Sequence, residues 1–369
     1  MNILLTGANG FVGKNLSVHL ETLGYDSIDT FTKDNDYQDL DDMCARADFV
    51  FHLAGVNRPK DNSEFQKGNV DLTKTLLEYL QKHNNHAPVL LASSIQAEND
   101  NEYGRTKQAA ETLVLEHAEA LGIKSFVYRL PNVFGKWSKP NYNSVVSTFC
   151  HNIANSEPIK INDASVELTL VHIDDVLDEF IRALNNNENR DDQYCRVPIV
   201  HTITLGQLAE TIQSFKQSRD TKFIPDMGDA LTKKLYATYL TYLPTNDFSY
   251  PLKMNVDQRG SFTEVLKTID RGQVSVNVSK PGITKGNHWH HSKNEKFLVV
   301  SGRGVIRFRH IHDDNVIEYY VDESSMEVVD IPPGYTHNIE NLGDKDMVTL
   351  MWANEPFDPE NPDTYYEEV

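Results

Sequence analysis

The chain has 369 residues, of which 39% are hydrophobic and 24% are charged, and its formal net charge is −19. A chain of this length usually needs more than one hydrophobic core, so we expect two domains. The acidic balance argues against a nucleic-acid partner, because a phosphate backbone is bound by basic surfaces. The three cysteines, Cys44, Cys150 and Cys195, are scattered and form no CxxC pair, which suits a reducing compartment.

The sequence shows no targeting signal and no membrane segment. Its first residues, MNILLTGANG, have the pattern of a buried strand and a turn rather than that of a signal peptide. No apolar run approaches the ~20 residues that are needed to cross a bilayer. We therefore expect a cytoplasmic protein without a membrane partner.

Residues 1–243 alternate between short apolar runs and helix-like stretches. NILLTG and DFVFHLAG have the composition of buried strands, whereas DLTKTLLEYLQKH and TKQAAETLVLEHAEALG have that of helices. Strands that alternate with helices predict an α/β fold, here a Rossmann-type, doubly wound parallel sheet with helices on both faces.

The pattern changes beyond residues 244–252, PTNDFSYPL, whose two prolines and polar residues predict a linker. From residue 253 onward, runs such as QVSVNVS, KFLVVSG and GVIRFRHI are short and rich in β-branched and aromatic residues. They predict an all-β antiparallel sandwich or barrel over residues 253–369. We expect the acidic stretch FDPENPDTYYEEV to be disordered or to pack on a neighbour.

Two features of the first domain predict chemistry. The first strand leads into TGANGFVG, residues 6–13, and a glycine-rich turn before a helix lets backbone amides approach a pyrophosphate. In YGRTK, Tyr103 and Lys107 are four residues apart and lie on one helix face. An ammonium beside a phenol lowers the phenol pKa from about 10 toward neutrality. Such a tyrosine can exchange a proton with a carbonyl group during its reduction.

Residues 1–243 resemble the extended short-chain dehydrogenase/reductase family in several motifs along the chain. The motifs are TGANGFVG, FHLAG (51–55), Asn69-Val70, YGRTK, RLPNVFG (129–135) and VHIDDV (171–176), the last two being typical of members that act on nucleotide sugars. The resemblance implies that Tyr103 protonates the oxyanion and that Lys107 holds the ribose and tunes Tyr103. It also implies that Ser94 hydrogen-bonds the carbonyl, with Ser93 as the alternative.

The resemblance further implies a nicotinamide cofactor, whose ribose 2′ position is read in SIDTFTKDND at the end of the second strand. A strand that ends near Thr30-Phe31 places Thr32 and Lys33 at the ribose and favours NADPH, whereas an end at Asp29 favours NADH. We expect NADPH. The expected cofactor-binding residues are Gly7, Asn9, Gly10, Phe11, Val12, Gly13, Thr32, Lys33, Leu53, Ala54, Gly55, Tyr103 and Lys107.

The second domain contains a histidine cluster in GITKGNHWHHSKNEKFLVVSG, residues 282–302. His288 and His290 are two residues apart and point to one face of an extended strand, whereas His291 points to the other. Glu295 follows, and His337 lies downstream in IPPGYTHNIEN. Imidazoles with one carboxylate suit zinc, iron, manganese or nickel. The alternative is a solvated, histidine-rich loop.

These two stretches resemble the two motifs of the cupin family, with Met326 standing where the second motif has a glycine. The resemblance implies a β-barrel in which His288, His290, Glu295 and His337 bind one divalent metal, for which we choose Zn²⁺. The matching positions are Gly282, His288, His290, Glu295 and Gly302 in the first motif, and Pro332, Gly334, His337 and Asn341 in the second.

A further fragment, Asp257-x-Arg259-Gly260-x-Phe262-x-Glu264, resembles the opening of dTDP-sugar 3,5-epimerases. These are cupin-like enzymes that act on 4-keto sugars and use a histidine base without a metal. A metal-bound imidazole has no free lone pair on its coordinating nitrogen, so the base in a metal-loaded barrel must be another group. Lys296, Tyr335 and an unbound histidine are the candidates.

Ketone chemistry links the two domains. A 4-keto group acidifies the hydrogen on C3, so C3 can be inverted before a reductase consumes the ketone. A reductase followed by a metal-type cupin resembles the CapF-type enzymes of bacterial capsule synthesis. That resemblance implies C3 epimerisation of a UDP-2-acetamido-2,6-dideoxy-4-hexulose and then NADPH-dependent reduction at C4 to the 6-deoxy-talose sugar, on the route to UDP-N-acetyl-L-fucosamine.

Two other functions remain open from the sequence. The cupin could be only a structural or dimerising zinc module of a sugar reductase. The chain could also be a non-catalytic NADP or ligand sensor, although a sensor has no need of Tyr103 and Lys107. Extended reductases and cupins both pair frequently, so we expect a homodimer.

Overall fold

The computed structural model describes residues 1–369, which divide into two compact units. The first comprises Met1–Gln213 and Lys234–Pro244, and the second comprises Ser214–Lys233 and Thr245–Val369. Residues 214–233 group with the second unit although the predicted domain 1–243 includes them. Backbone hydrogen bonds attach this segment there, since Lys267 N donates to Lys222 O and Ile224 N donates to Lys267 O, both at 2.8 Å.

The first unit contains the predicted alternation of strands and helices. Its strands are β1 (Ile3–Thr6), β2 (Ile28–Phe31), β3 (Phe49–His52), β4 (Val89–Ser94), β5 (Ser125–Leu130), β6 (Asn132–Phe134), β7 (Glu167–His172), β8 (Arg190–Asp191), β9 (Tyr194–Cys195) and β10 (His201–Thr204). Its helices are α1 (Phe11–Thr22), α2 (Tyr37–Arg46), α3 (Ser63–Phe65), α4 (Leu72–Lys82), α5 (Glu102–Leu121), α6 (Val145–Ala154) and α7 (Ile173–Leu184). The helices α8 (Leu205–Thr221) and α9 (Ala230–Leu240) cross the boundary between the units.

The main sheet of the first unit has seven strands in the order β2-β1-β3-β4-β5-β9-β8, and all its pairs are parallel except β8 with β9. A second sheet has the order β10-β7-β6. Alternate residues of each buried strand face opposite layers. In β1, Ile3 and Leu5 pack with α1 and α7, whereas Leu4 packs with α2, α4 and α5. The predicted doubly wound fold is confirmed.

The two sheets of the second unit contain only antiparallel strand pairs. Its strands are β11 (Met254–Asp257), β12 (Gly260–Lys267), β13 (Gln273–Ser279), β14 (Thr284–Trp289), β15 (Glu295–Ser301), β16 (Arg303–His310), β17 (Val316–Asp322), β18 (Val328–Ile331), β19 (Tyr335–Asn341), β20 (Met347–Ala353) and β21 (Tyr365–Tyr366). They form two sheets, β11-β12-β13-β20-β15-β18 and β17-β16-β19-β14-β21.

The core of the second unit lies between these two sheets. Phe297 and Val299 from one sheet pack against Ile306, Phe308 and Ile339 from the other. Two antiparallel sheets that share one core are consistent with a cupin-like barrel, which confirms the all-β prediction. None of the helices in the structure is long and apolar enough to cross a membrane.

Candidate active sites of the two units

The turn after β1 is shaped by two glycines that have no room for a side chain. Gly7 has a φ of +73°, and a Cβ there would lie 2.7 Å from the backbone N of Ala54. A Cβ at Gly13 would lie 2.3 Å from the Gly7 carbonyl oxygen. These close approaches bring residues 6–13 against residues 53–55, so two separate motifs form one surface. The helix α1 starts here with Gly10 as its N-cap, and no side chain caps its amides. Such an N-terminus suits a pyrophosphate.

The end of β2 decides which residues follow it at this edge of the sheet. β2 ends at Phe31, which is opposite Thr6 in the parallel register, so Thr32 and Lys33 emerge beside the glycine turn. Asp29 lies within the strand, and both of its carboxylate oxygens accept hydrogen bonds from Arg46, at 2.8 and 2.9 Å. Of the two ends considered for β2 from the sequence, the structure has the one at Phe31.

The catalytic residues predicted in the first unit come together where β4 ends and α5 begins. Ser94 is the last residue of β4, and its side chain lies beside the phenol of Tyr103. Lys107, one turn along α5, donates from Nζ to the carbonyl oxygen of Ala92 at 3.0 Å. A Cβ at Gly55 would lie 3.2 Å from the same Nζ. The structure therefore brings the serine, tyrosine and lysine to the loop expected to hold the cofactor.

The alternative residue, Ser93, is engaged elsewhere. Its hydroxyl donates to Glu111, which is 1% exposed, within a buried network. Arg129 holds the same carboxylate through Nε at 3.1 Å and an Nη at 2.7 Å. Successive residues of a strand point to opposite faces, so Ser93 lies in this network while Ser94 lies with Tyr103. The geometry supports Ser94 as the carbonyl-binding residue.

The expected lowering of the Tyr103 pKa is wrong for the structure. Burial raises the pKa of Tyr103, and the neighbouring Ser94 hydroxyl opposes the rise only in part. Burial also lowers the pKa of Lys107 to about 8, against the opposing charge of Glu111. The prediction considered only the charge of the ammonium next to the phenol. Burial also removes water from both groups, which disfavours their charged forms. Tyr103 is thus a protonated acid across the physiological pH range.

The pH profile of reduction follows from these two directions. Lys107 carries its charge below a pKa of about 8 and loses it as the pH rises through that value. We expect kcat/KM to fall about tenfold per pH unit above this point, because kcat/KM reports ionisations of the free enzyme. In Lys107→Arg the guanidinium stays charged, so the residual activity of this variant should not fall as the pH rises above about 8. A limb near pH 8 that persists in Lys107→Arg would show that another group titrates there.

Sequence reasoning gave no role to Asn69, although the residue belongs to one of the motifs. Its Oδ1 accepts from Val56 N at 2.8 Å, and its Nδ2 donates to Val56 O and to Thr106 Oγ1, both at 3.1 Å. Asn69 is 2% exposed and lies in a π-helical turn, Gln66–Asp71. It ties the cofactor-side loop to α5, and π-helical turns are frequent at functional sites. Its place in the Asn69-Val70 motif was the signal available from the sequence.

The histidine cluster of the second unit depends on a β-bulge. The register of β14 against β19 shifts between Gly286 and His288, so that His288 lies opposite His337. Gly286 has a φ of +110°, and a Cβ there would lie 2.7 Å from the His337 carbonyl oxygen. The extra residue, Asn287, has a φ of +59°. A bulge of this kind re-aims the following side chain, here toward the barrel interior.

Four side chains converge behind the bulge. One ligand atom from each of His288, His290, Glu295 and His337 lies within 4.8 Å of all the others. Glu295 Oε2 is 3.5 Å from His290 Nε2 and 3.4 Å from His337 Nε2.

The protonation pattern of this cluster fits a bound cation. His290 Nδ1 contacts the carbonyl oxygen of Asp363, which can only accept, so Nδ1 carries the proton and Nε2 presents a lone pair. That lone pair faces the carboxylate oxygen of Glu295. Three buried atoms, His290 Nε2, His337 Nε2 and Glu295 Oε2, have no hydrogen-bond partner. Electron-rich atoms that converge without donors match the ligand set of a zinc-type ion.

The remaining residues considered for this site lie away from the cluster. The ring of His291 packs against Trp289 and Tyr365, at centroid distances of 4.5 and 4.9 Å. Lys296 Nζ pairs with Asp330, and its side chain is 50% exposed. Tyr335 packs its ring edge-on against His310 at 5.1 Å. Neither Lys296 nor Tyr335 lines the barrel cavity, so the structure places neither of these two candidate bases at the cluster.

The cluster opens into a cavity of about 900 Å³ inside the second unit. His288, Glu295 and His337 form part of its wall, together with charged and aromatic side chains. This volume lies in the range of small-molecule sites. Other residues of the wall are Arg259, Phe262, Lys285, Lys293 and Trp352.

Residues 3–195 match the NAD dependent epimerase/dehydratase family, and residues 255–365 match the polysaccharide biosynthesis C-terminal domain. The chain belongs to the NAD dependent epimerase/dehydratase family. The first match covers the glycine turn, the main sheet and the residues Ser94, Tyr103 and Lys107, and the second covers the histidine cluster. The family match therefore supports a nicotinamide cofactor for this chain.

Two relatives match this chain over nearly its whole length. The capsular polysaccharide assembling protein CapF from Staphylococcus aureus is 56% identical, with 100% of each chain covered and a TM-score of 0.94. A UDP-2-acetamido-2,6-beta-L-arabino-hexul-4-ose reductase of Pseudomonas aeruginosa is 47% identical over 99% of this chain and 98% of its own. The predicted resemblance to the CapF-type enzymes is confirmed. UDP-glucose 4-epimerase of Thermotoga maritima, 20% identical with a TM-score of 0.54 over 66% of this chain and 98% of its own, shares the fold.

Proposed function

We propose that this chain is a bifunctional nucleotide-sugar enzyme of capsular polysaccharide synthesis. Residues 253–369 epimerise C3 of a UDP-2-acetamido-2,6-dideoxy-4-hexulose, and residues 1–243 then reduce its C4 ketone to a UDP-2-acetamido-2,6-dideoxy-talose. The active form is a homodimer. The observation that carries the proposal is the presence on one chain of a Ser-Tyr-Lys site in a dinucleotide fold and a buried three-histidine, one-glutamate cluster that opens into a cavity.

The reductase site has the groups that carbonyl reduction requires. NADPH, when bound, supplies the hydride that adds to C4 of the sugar. Ser94 and Tyr103 hydrogen-bond the ketone oxygen, and Tyr103 donates its phenolic proton as negative charge develops there. The raised pKa of Tyr103 keeps this proton in place before the reaction. Lys107 lies beside Gly55, where its ammonium can hold the ribose of the cofactor.

The choice of NADPH rests on the end of β2. Thr32 and Lys33 follow Phe31 directly, and Lys33 is exposed. A lysine beside the ribose binds a 2′-phosphate through a charge-assisted contact, which is worth about 1.5–3 kcal/mol. Asp29, the acidic residue that would accept a 2′-hydroxyl, is paired with Arg46. Both observations support NADPH over NADH.

The barrel site has groups that would stabilise an enolate. A divalent ion held by His288, His290, Glu295 and His337, with Zn²⁺ as our choice, would supply positive charge for the oxygen of the ketone. His290 and His337 are each 1% exposed, and burial of this kind strengthens charge interactions. The wall also contains cationic side chains, of which Arg259 pairs with Asp257 and Lys293 pairs with Glu295, while Lys285 donates to Asn277 Oδ1 at 2.8 Å.

The order of the two reactions follows from the ketone. The C3 hydrogen is acidic only while C4 is a ketone, because the carbanion delocalises into an enolate. Reduction removes that activation, so epimerisation precedes reduction. The sequence similarity to a named hexul-4-ose reductase supports the second reaction, and the cluster in the barrel supports the first.

Product analysis by NMR tests the proposal. The purified full-length protein is incubated with a UDP-2-acetamido-2,6-dideoxy-4-hexulose and either NADPH or NADH, and its metal content is measured in the same preparation. We expect about one bound divalent ion per chain, consumption of NADPH in preference to NADH, and a talo-configured product. A product reduced at C4 with C3 unchanged would refute the epimerase half and leave the barrel a structural module. Consumption of neither cofactor would refute the reductase half.

A further inference from the structure

The acidic segment Asp363–Glu368 lies along the histidine cluster, although it is far from the cluster in sequence. Its strand β21 pairs with β14, so that Tyr366 is opposite His288 and Tyr365 is opposite Trp289. Further along, Thr336, the residue before His337, donates from Oγ1 to the carbonyl oxygen of Glu367. The segment thus contacts β14 at one ligand and β19 beside another.

The backbone of Asp363 fixes a third ligand. Its carbonyl oxygen accepts from His290 Nδ1, which sets the tautomer and the ring orientation of that imidazole. A ligating histidine almost always donates its second ring nitrogen to an acceptor of this kind, and the acceptor tunes the metal. The segment therefore acts on the first coordination sphere without entering it.

The side chain of Asp363 fixes the turn between two ligands. Its carboxylate accepts from the backbone N of His291 and of Ser292 at 2.8 Å each and from Lys293 N at 2.9 Å. It also accepts from Ser292 Oγ at 3.0 Å. Residues 291–293 form the turn that connects His290 to Glu295. One carboxylate with four donors therefore sets the spacing of these two ligands.

We propose that Asp363 is a positioning residue of the metal centre, and that the segment Asp363–Glu368 holds the ligands His288 and His290 in the geometry that binds the ion. Its carboxylate organises the turn, and its carbonyl orients one imidazole. The inference rests on the proposed metal centre. The segment contributes through contacts with the ligands and their turn, and none of its own side chains belongs to the cluster.

Zinc competition with the full-length protein tests the inference. Asp363→Asn keeps the shape of the side chain and the backbone carbonyl. It replaces one carboxylate oxygen with an NH₂ group, which cannot accept hydrogen bonds from the backbone N–H groups of the turn. We expect the zinc dissociation constant, measured against a chromogenic chelator, to rise about 10–100-fold. With Co²⁺ as the probe, the visible absorption bands should shift because the ligand field changes. Ser292→Ala removes only the hydroxyl donor and should give a smaller rise in the same direction, with little effect on folding.

Asp358→Asn is the matched control, because Asp358 lies in the same acidic stretch and its Oδ1 accepts from Glu360 N at 3.0 Å, outside the turn. It should leave both the zinc affinity and the cobalt spectrum unchanged. Unaltered zinc affinity in Asp363→Asn, or an equal loss in Asp358→Asn, overturns the role of Asp363 while the metal centre stands. Wild-type protein that binds no zinc overturns the metal centre and this inference together.

Discussion

Replacing Tyr103 with phenylalanine is expected to lower kcat for NADPH-dependent reduction by about 10²–10⁴-fold, the usual contribution of a positioned general acid. The substitution removes one hydroxyl group, which in the structure lies beside Ser94 at the end of β4. Without it, the oxyanion that forms at C4 receives no proton from the protein. The rate is measured as the loss of NADPH absorbance with the 4-keto sugar, and the dissociation constant for NADPH by fluorescence titration.

The dissociation constant distinguishes a lost acid from a damaged cofactor site. We expect it to stay within about twofold of the wild-type value, since Lys107 and the glycine turn remain in place. Tyr25→Phe serves as the control, because it removes the hydroxyl of a tyrosine that packs on the core outside the site. Turnover by Tyr103→Phe at the wild-type rate would eliminate Tyr103 as the acid.

The second large effect is expected in the barrel, where His288→Ala should slow C3 proton exchange by about 10²–10³-fold, the range found when one stabilising group for an oxyanion is removed. Wild-type protein in D₂O, without NADPH, should replace the C3 hydrogen of the 4-keto sugar with deuterium, and NMR follows the loss of that signal. Losing one of four converging side chains leaves the ketone oxygen without its compensating charge.

A pair of neighbouring histidines provides the matched control for exchange. His291 is three residues from His288, but its ring packs on Trp289 and Tyr365 rather than in the cluster. We therefore expect His291→Ala to exchange C3 at nearly the wild-type rate. Tyr103→Phe should also exchange normally, because the barrel reaction does not use the phenol. If His288→Ala retains full exchange, the cluster has a structural role and takes no part in the exchange reaction.

Local pattern was enough to predict both folds and most of the residues that converge. Alternation of strands and helices specified the doubly wound sheet, since buried parallel strands need helices on both faces. The side-chain period of two separated His291 from His288 and His290, and the structure has this arrangement. The end of β2 at Phe31 was one of two alternatives that composition alone could not separate.

Other features could not be predicted because they depend on distant parts of the chain. The pKa of Tyr103 is set by burial, which the spacing of a tyrosine and a lysine does not reveal. The role of Asp363 depends on the pairing of β21 with β14, which joins residues about 70 positions apart along the chain, a span beyond any local periodicity. The acidic composition of that stretch favoured disorder or a neighbouring chain, but specific backbone pairing overrides composition.

The interlaced path of the chain bears on how the two activities can be separated. The polypeptide leaves the first unit after Gln213, returns at Lys234 and leaves again after Pro244. A cut at a single position therefore cannot release both units intact. A gene fragment that ends near residue 244 would carry residues 214–233 without β12, to which backbone hydrogen bonds attach them. A fusion of the barrel to another reductase would have to include residues 214–233 as well as the barrel, although these residues lie within the sequence of the first unit.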